Sequence, residues 1–192
     1  ESIEEYALTE LVPDSGWGVH CENSLVRSLT GLLYWPVIFA DVDDAFTNPF
    51  QSAPHDLFSE DFCQRRRVLL SNHERRLSDD SDLVKFLTLT VQAKNGTANR
   101  LVNWSLLQTV PLEQWLEAVP VKVIRALCQF LIRNLGDYRS GFPDLFICYG
   151  PDDFEFVEVK GPNDQLQPQQ RAWFRVFDEL KLPARVLKLK PQ

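Results

Sequence analysis

No run of eighteen or more apolar residues occurs in this sequence, and its N-terminus carries no signal-peptide pattern, so nothing in it points to a membrane span or to secretion. Its four cysteines, Cys21, Cys63, Cys128 and Cys148, form no C-x-x-C pair, and His20, His55 and His73 add no zinc-ligand spacing beside them. Reduced thiols in an intracellular protein are the expectation. No internal repeat is present. An initiator methionine is missing too, the chain opening at Glu1, as a piece of a longer protein would. Asn95-Gly-Thr and Asn103-Trp-Ser match glycosylation sequons, but without a secretory route they are chance matches.

A surplus of positive charge is also lacking: 20 Lys and Arg stand against 27 Asp and Glu, a net charge of −7. The total argues against a polyanionic partner. Its distribution does not, because residues 1–62 hold 12 acids and 1 base, residues 63–136 hold 6 acids and 11 bases, and residues 137–192 hold 9 acids and 8 bases. Affinity for a phosphate backbone follows the charge close to it, so a local basic face in the middle or at the end is compatible with nucleic acid. The length of 192 residues, 44% of them hydrophobic, suits one domain, or one domain with a large insertion, around a sizeable core.

What the chain does have is concentrated between Gly141 and Pro162. Phe146 to Tyr149 and Phe154 to Val159 are rich in aromatic and β-branched residues, and Gly150-Pro-Asp-Asp153 between them is turn chemistry, which predicts a β-hairpin. Side chains alternate along a strand, so Glu158 and Lys160 share one face while Val159 points into the packing. Asp144 heads the first strand. Antiparallel pairing sets the head of one strand beside the tail of the next, about 5 Å away, so Asp144, Glu158 and Lys160 converge on one small volume. Two carboxylates that close repel unless a cation lies between them, and oxygen ligands suit hard ions such as Mg2+ or Mn2+. Lys160 beside them would orient or help deprotonate an attacking water, which is the chemistry of metal-assisted phosphodiester hydrolysis. The bland alternative is a strand-surface ion pair between Glu158 and Lys160, with Asp144 capping a turn.

Residues 3–11 predict a short acidic helix ended by Pro13-Asp-Ser-Gly16. From Cys21, Leu25, Val26, Leu29, Leu32 and Leu33 recur at helical spacing, with Trp35-Pro36 as the stop. Glu22 stands on the stripe of Leu25, Val26 and Leu29. Its carboxylate is either buried there, which requires a partner or a metal, or drawn to solvent in the first turn, where the helix dipole favours it. Residues 39–62 read as loop, and the spacing then predicts helices over 61–77, 81–93, 97–107, 111–119 and 121–135, the last closed by Gly136. Arg65-Arg66-Arg67 and Arg75-Arg76 either track a DNA backbone or form solvated helix faces. Arg139 leads directly into the site and is the better candidate for a phosphate contact, unless it pairs with Asp137 or a core acid. Pro168 opens a further helix with Ala172, Trp173, Val176, Phe177 and Leu180 on its apolar face, so Trp173 reads as core. Gln169 and Gln170 in its first turn face the hairpin end, where amides would bind a phosphate or Lys160. Residues 184–190 alternate as a final strand with Lys188 and Lys190 on one face. Helix, hairpin, helix and strand around a central mixed sheet make an α/β fold with a helical insertion.

Pro143-Asp144, thirteen residues, then Glu158-Val159-Lys160 resembles the PD-(D/E)XK signature of the restriction-endonuclease-like nucleases. The longer string Val157-Glu-Val-Lys-Gly-Pro-Asn-Asp-Gln-Leu-Gln-Pro-Gln-Gln-Arg171 resembles the VRR-NUC subgroup, most closely its Fanconi-anaemia-associated type, and the likeness is strongest over about residues 18–35 and 136–190. The resemblance implies a restriction-endonuclease-like fold over residues 1–192 as a single domain, with a helical insertion at about 61–135 on the surface that minimal members use to dimerise, hence a monomer. It implies Asp144, Glu158, the Val159 carbonyl and Glu22, in His20-Cys-Glu-Asn-Ser24, as ligands of Mg2+ or Mn2+, with Lys160 orienting the water. Gln170 matches a recurring glutamine, whereas Gln169 stands where relatives often carry lysine. The implied activity is structure-specific cleavage of branched DNA such as 5′ flaps, with 5′-to-3′ exonuclease action and a role in interstrand-crosslink repair, in a nucleus or a bacterial nucleoid. A dimeric Holliday-junction resolvase and an inactive DNA-binding or scaffold domain are the rival readings.

Overall fold

Strand pairing organises the chain in the computed structural model, which describes residues 2–189. Four strands, β1 (Trp17–His20), β2 (Leu145–Gly150), β3 (Asp153–Lys160) and β4 (Ala184–Lys188), lie in that order in one sheet. The first two pairings are antiparallel and the third is parallel, so the sheet is mixed. The helices are α1 (Ile3–Leu11), α2 (Glu22–Leu33), α3 (Trp35–Ile38), α4 (Phe62–Arg65), α5 (Arg67–Arg76), α6 (Asp80–Lys94), α7 (Trp104–Thr109), α8 (Leu112–Ala118), α9 (Val121–Arg133), α10 (Leu135–Tyr138) and α11 (Pro168–Leu180). The last of these carries the chain from β3 to β4, the crossover that parallel neighbours require. The fold is α/β, with helices flanking the sheet.

Alternation along β2 and β3 divides the packing in two. Leu145, Ile147, Val157 and Val159 face α1, whose Ala7 is buried among them. That helix starts with a capping box, the Ser2 hydroxyl accepting from the Glu5 N–H at 3.1 Å and the Glu5 carboxylate from the Ser2 N–H at 2.9 Å. Phe146, Cys148, Phe154 and Phe156 face the larger core, with Leu25, Val26 and Leu29 of α2 and Ile124, Leu127 and Leu131 of α9. Each of these side chains stabilises the fold by about 1.5–3 kcal/mol through burial. Glu158 continues the second series, so its carboxylate follows Phe154 and Phe156 onto the core face.

Tertiary contacts correct three expectations, and two elements, β1 and α3, are additions. The strand β1 was not legible as such; its four residues are too few to show a period. The helix expected over 61–77 is broken at Arg66 (φ −113°), whose side chain is 1% exposed, pairs with Asp56 at 2.8 Å, stacks on the Phe62 ring at 4.3 Å and donates from Nε to the Val37 carbonyl at 3.1 Å. Residues 97–103 are not helical. Asn99 is buried there, donating to the Gly31 carbonyl at 3.3 Å and accepting from the Leu101 N–H at 2.9 Å, and Asn103 then caps α7. Gly136 lies inside α10 and closes nothing, because Asn134 ends α9 by turning its amide back to the Phe130 carbonyl at 2.7 Å. Trp35-Pro36 does stop α2 but also opens α3, proline being tolerated in a first turn. At the C-terminal end, β4 stops at Lys188, and Lys190 lies outside the described residues. Among the described residues no helix is long and apolar enough to cross a membrane.

Candidate functional site

Asp144 is the junction of three elements. Its backbone carbonyl accepts from the N–H groups of Cys21 (2.9 Å) and Glu22 (3.1 Å), and its Oδ2 accepts from the Val159 N–H (2.8 Å), which pins the start of α2 and the adjoining ends of β2 and β3 together. To follow this turn Glu22 adopts a φ of +40°, a conformation that costs a non-glycine residue about 1–3 kcal/mol and is characteristic of functional sites. The same turn brings Glu22 Oε1 to 3.4 Å from His20 Nε2, both side chains being exposed. One donor atom each from His20, Glu22 and Asp144 lie within 4.8 Å of one another.

Glu158 stands beside Asp144 and outside that trio, at the end of the core face, with 0% of its surface exposed. Its Oε1 holds the Lys160 ammonium at 2.6 Å and accepts from the Gln170 side-chain amide. Its Oε2 is buried with no hydrogen-bond partner. Burial pushes the Glu158 carboxyl up to about 7, the Asp144 carboxylate adding to the rise and Lys160 opposing it. Burial also raises Asp144, against the Val159 N–H and Lys160, which favour its charged form. Two acids of raised proton affinity beside one lysine form a site of excess negative charge once both ionise.

Helix α11 holds the other side. Gly141 has a φ of +89°, and a Cβ there would fall 2.7 Å from the backbone of Gln169, so only glycine lets α11 approach this closely. Within α11, Gln170 closes the capping box, its Oε1 accepting from the Gln167 N–H at 2.9 Å while its Nε2 reaches Glu158. Trp173 is 0% exposed and donates from Nε1 to the Ser140 carbonyl at 3.1 Å. Phe142, between that anchor and Asp144, packs edge-on against Phe156, Trp173 and Phe177 with centroids at 5.0, 4.9 and 5.4 Å. Asn23 Oδ1 accepts from its N–H at 3.0 Å.

The sequence-derived residues fall out as follows. Asp144, Glu158, Val159 and Lys160 are brought together at the strand ends. Along β3 the backbone groups of Phe156 and Lys160 bond toward β4, so those of Val159 face the β2 side, its N–H on Asp144 and its carbonyl directed the same way. Glu22 takes the solvent alternative: its side chain is 55% exposed, while Leu25, Val26 and Leu29 are buried. His20 belongs to the same group; its position two residues before Glu22, at the end of β1, was the available signal. Gln170 binds neither Lys160 nor open solvent, its amide being held by Glu158. Gln169 is exposed against Gly141. Arg139 pairs with no acid among the described residues and lies over the Phe58 ring at 5.8 Å. Arg65 and Arg66 are tied to Asp56 at 2.6 and 2.8 Å, so of the arginine runs only Arg67, Arg75 and Arg76 face solvent without an ion pair among the described residues.

The donor set fits a hard divalent cation. Two carboxylates and an imidazole within reach of one another, with the unpartnered buried oxygen of Glu158 and the strand-end Val159 carbonyl on the Asp144 side, suit a hard cation better than a thiophilic one, and Cys21, though adjacent, is buried with its thiol pushed far up by desolvation.

Known proteins share this arrangement at the level of fold and sequence. The chain is 40% identical over 187 residues to a Fanconi-associated nuclease 1 homolog of Pseudomonas aeruginosa, covering 95% of this chain and 33% of that protein. It is 32% identical over 186 residues to human Fanconi-associated nuclease 1, covering 93% of this chain and 18% of that protein. A crystal structure of paFAN1 bound to 2nt 5′flap DNA with gap superposes with a TM-score of 0.91 at 35% identity, over 100% of this chain and 35% of that one. The chain thus spans about a third or less of the length of the relatives it matches. The VRR-NUC domain family itself matches residues 78–191, from α6 through the hairpin and α11 to the end of β4, and on that match over more than half of its length the chain belongs to the VRR-NUC domain family.

Proposed function

We propose that this chain is the catalytic unit of a metal-dependent, structure-specific DNA nuclease that hydrolyses phosphodiester bonds in branched DNA, 5′ flaps above all, with 5′-to-3′ exonuclease action. The observation that carries the reading is Glu158: a structural ion pair satisfies both oxygens of a buried carboxylate, whereas here Oε2 is left without a partner next to a second acid. The names of the relatives and the flap DNA in the paFAN1 structure support the choice of substrate.

Asp144, Glu158, Glu22 and the Val159 carbonyl would hold Mg2+ or Mn2+. Such an ion, when bound, neutralises charge developing on the phosphate and lowers the pKa of a bound water. Lys160, held against Glu158 at 2.6 Å, donates to the attacking water and directs its lone pair at phosphorus. The water oxygen bonds phosphorus as the bond to the 3′ oxygen breaks; the water's proton passes to solvent and the leaving oxygen takes one up from solvent, giving a 3′-hydroxyl and a 5′-phosphate. Arg139 is placed to contact a phosphate of the incoming strand. The chain acts as a monomer within a larger repair enzyme, in a nucleus or nucleoid, and interstrand-crosslink repair is the setting that uses this chemistry.

End-labelled 5′-flap, splayed and Holliday-junction DNA, incubated with and without Mn2+ or Mg2+ beside a Glu158→Ala variant, test the reading. Metal-dependent cutting of the flap that the variant lacks is expected. Preference for the four-way junction together with a dimer mass in solution would replace it by the resolvase, and no cutting of any substrate by the scaffold domain.

A further inference from the structure

Three rings stack in succession where α3 runs into the loop behind it. Trp35 and Phe39 lie with centroids 5.1 Å apart and planes inclined by 28°, Phe39 and Phe46 with centroids 6.0 Å apart and planes inclined by 17°. They line an open cleft of about 720 Å3, and a fourth ring, Phe50, lines the same cleft while 90% exposed. That exposure is built into the loop. Gln51 Oε1 accepts from the Thr47 hydroxyl and from the Asn48 N–H, both at 3.0 Å, and Asn48 Oδ1 accepts from the Phe50 N–H at 3.0 Å, so the ring is held out by bonds already made. The one charged residue of the lining is Lys94, whose ammonium lies 5.7 Å from the centre of the Trp35 ring and pairs with no carboxylate among the described residues.

A single apolar side chain on a surface requires no explanation, but four rings around one cleft form a contiguous apolar face. The lining says what covers it. Near-parallel rings accept one more flat ring, every nucleobase offers such a face, and an unpaired cation suits the phosphate that accompanies each base. An apolar protein segment seated there would instead cover the Lys94 ammonium without a counter-charge, which is unfavourable. The cleft also continues toward the candidate site. Gln51 lines a second cleft, of about 320 Å3, and this shares Phe58 with a third, of about 370 Å3, that Arg139 lines. A strand held at Arg139 and unpaired beyond it therefore has an open path to Phe50.

We infer that the cleft between Trp35, Phe46, Phe50 and Lys94 is a stacking site for unpaired nucleobases of a DNA single strand, accepting any sequence because it uses the faces of the bases and not their edges. The choice of nucleic acid rests on the nuclease reading.

The test compares binding of two fluorescein-labelled single strands in EDTA, where no cutting occurs: an oligothymidylate, and a strand of the same length with abasic sugars throughout. Both carry the same backbone charge, and only the first can stack. Phe50→Ala removes an exposed ring, so the melting midpoint should not move, while affinity for the oligothymidylate should fall by about 5- to 150-fold and affinity for the abasic strand stay as it was. Phe50→Trp should keep the parent's affinity. Lys94→Gln should weaken both strands equally and lower the slope of log K against log salt by about 0.7. Unaltered binding of the oligothymidylate by Phe50→Ala, or equal losses on both strands, would overturn the site, as would a parent that binds neither. A dimer mass in the parent that Phe50→Ala abolishes, with strand binding unaltered, would make the cleft a protein contact and overturn it too. Metal-dependent cutting of 5′-flap DNA by the parent separates the two readings: stacking lost with cutting present leaves the nuclease standing, and stacking present in a parent that cuts nothing establishes the site and sinks the nuclease.

Discussion

Metal binding to this chain should be proton-linked through Glu158, and the linkage is large enough to measure as stability. The Glu158 carboxyl is raised from an ordinary 4.5 to about 7, chiefly by burial, a difference equivalent to about 3 kcal/mol at about 1.4 kcal/mol per unit. The sign follows from which state prefers the proton. A carboxyl raised in the folded chain binds its proton more tightly folded than unfolded, so it is neutral for stability below about 4.5, and its ionisation penalises folding progressively up to about 7 and fully above. The metal-free chain should therefore lose about 3 kcal/mol between pH 4.5 and 8 relative to Glu158→Gln. A divalent cation at about a hundred times its Kd returns about 2.7 kcal/mol, which for a domain of this size raises Tm by about 5–10 °C. Because the cation competes with the proton, its apparent affinity should weaken about tenfold per pH unit below 7. Thermal unfolding followed by circular dichroism, in EDTA and in graded Mn2+ at pH 5.5, 7 and 8.5, gives both quantities. A Tm rise in Mn2+ that is independent of pH, or equal in Glu158→Gln, would refute the reasoning and return Glu158 to the status of an ion-pair partner of Lys160.

Three further outcomes are expected. Lys160→Ala should lower kcat on flap DNA by about 10²–10⁴ with KM within a few-fold, as loss of a group acting on the attacking water requires; single-turnover cleavage in Mn2+ separates this from slow product release. Gly141→Ala meets both a left-handed φ of +89° and a contact at 2.7 Å with the Gln169 backbone, so it should cost at least about 2 kcal/mol, lower Tm by at least about 4 °C and release Gln170 from Glu158, read as an altered pH dependence of Mn2+ binding. Arg66→Ala leaves Asp56 with a single cation and a void beside Phe62, and should destabilise by about 3 kcal/mol in urea without changing the salt slope of DNA binding.

The hairpin and the convergence of Asp144, Glu158 and Lys160 at its end were legible because two short-range rules sufficed. Alternation fixed the shared face of Glu158 and Lys160, and turn residues between two aromatic strands fixed the distance to Asp144. The helices of the middle were legible as helices but not in their limits, since those are set by side chains acting across the fold. Arg66 looks like any helical arginine until Asp56, Phe62 and the Val37 carbonyl surround it, and Asn99 looks like a tolerable helix residue until Gly31 is placed beside it. Glu22 shows the limit most directly. Its spacing with Leu25 and Leu29 left burial and exposure equally open, because the helical wheel assumes helical backbone, and Glu22 has a φ of +40°. The commitment of Gln170 to Glu158 was beyond reach for a related reason: it depends on how closely α11 approaches Gly141, which no local pattern encodes.

The two unfavourable features of the site, the left-handed Glu22 and the buried unpartnered oxygen of Glu158, sit at opposite ends of the same hydrogen-bonded junction. Asp144 links them, through its carbonyl to Glu22 and through its carboxylate to the residue after Glu158. Opening the turn at Glu22 would break its N–H bond to the Asp144 carbonyl, and the Val159 N–H bond holds the backbone next to Glu158 against the same residue. The elements that meet there are in turn fixed by apolar packing that owes nothing to the acids: Phe142 against Trp173 and Phe177, and Val157 and Val159 against α1. Of order 4–6 kcal/mol of strain and desolvation is therefore carried by a core that each buried aromatic or aliphatic side chain stabilises by about 1.5–3 kcal/mol. A site held in this way keeps its carboxylates converged before any cation arrives, so the ordering that a flexible acidic loop would have to undergo on binding has already taken place during folding.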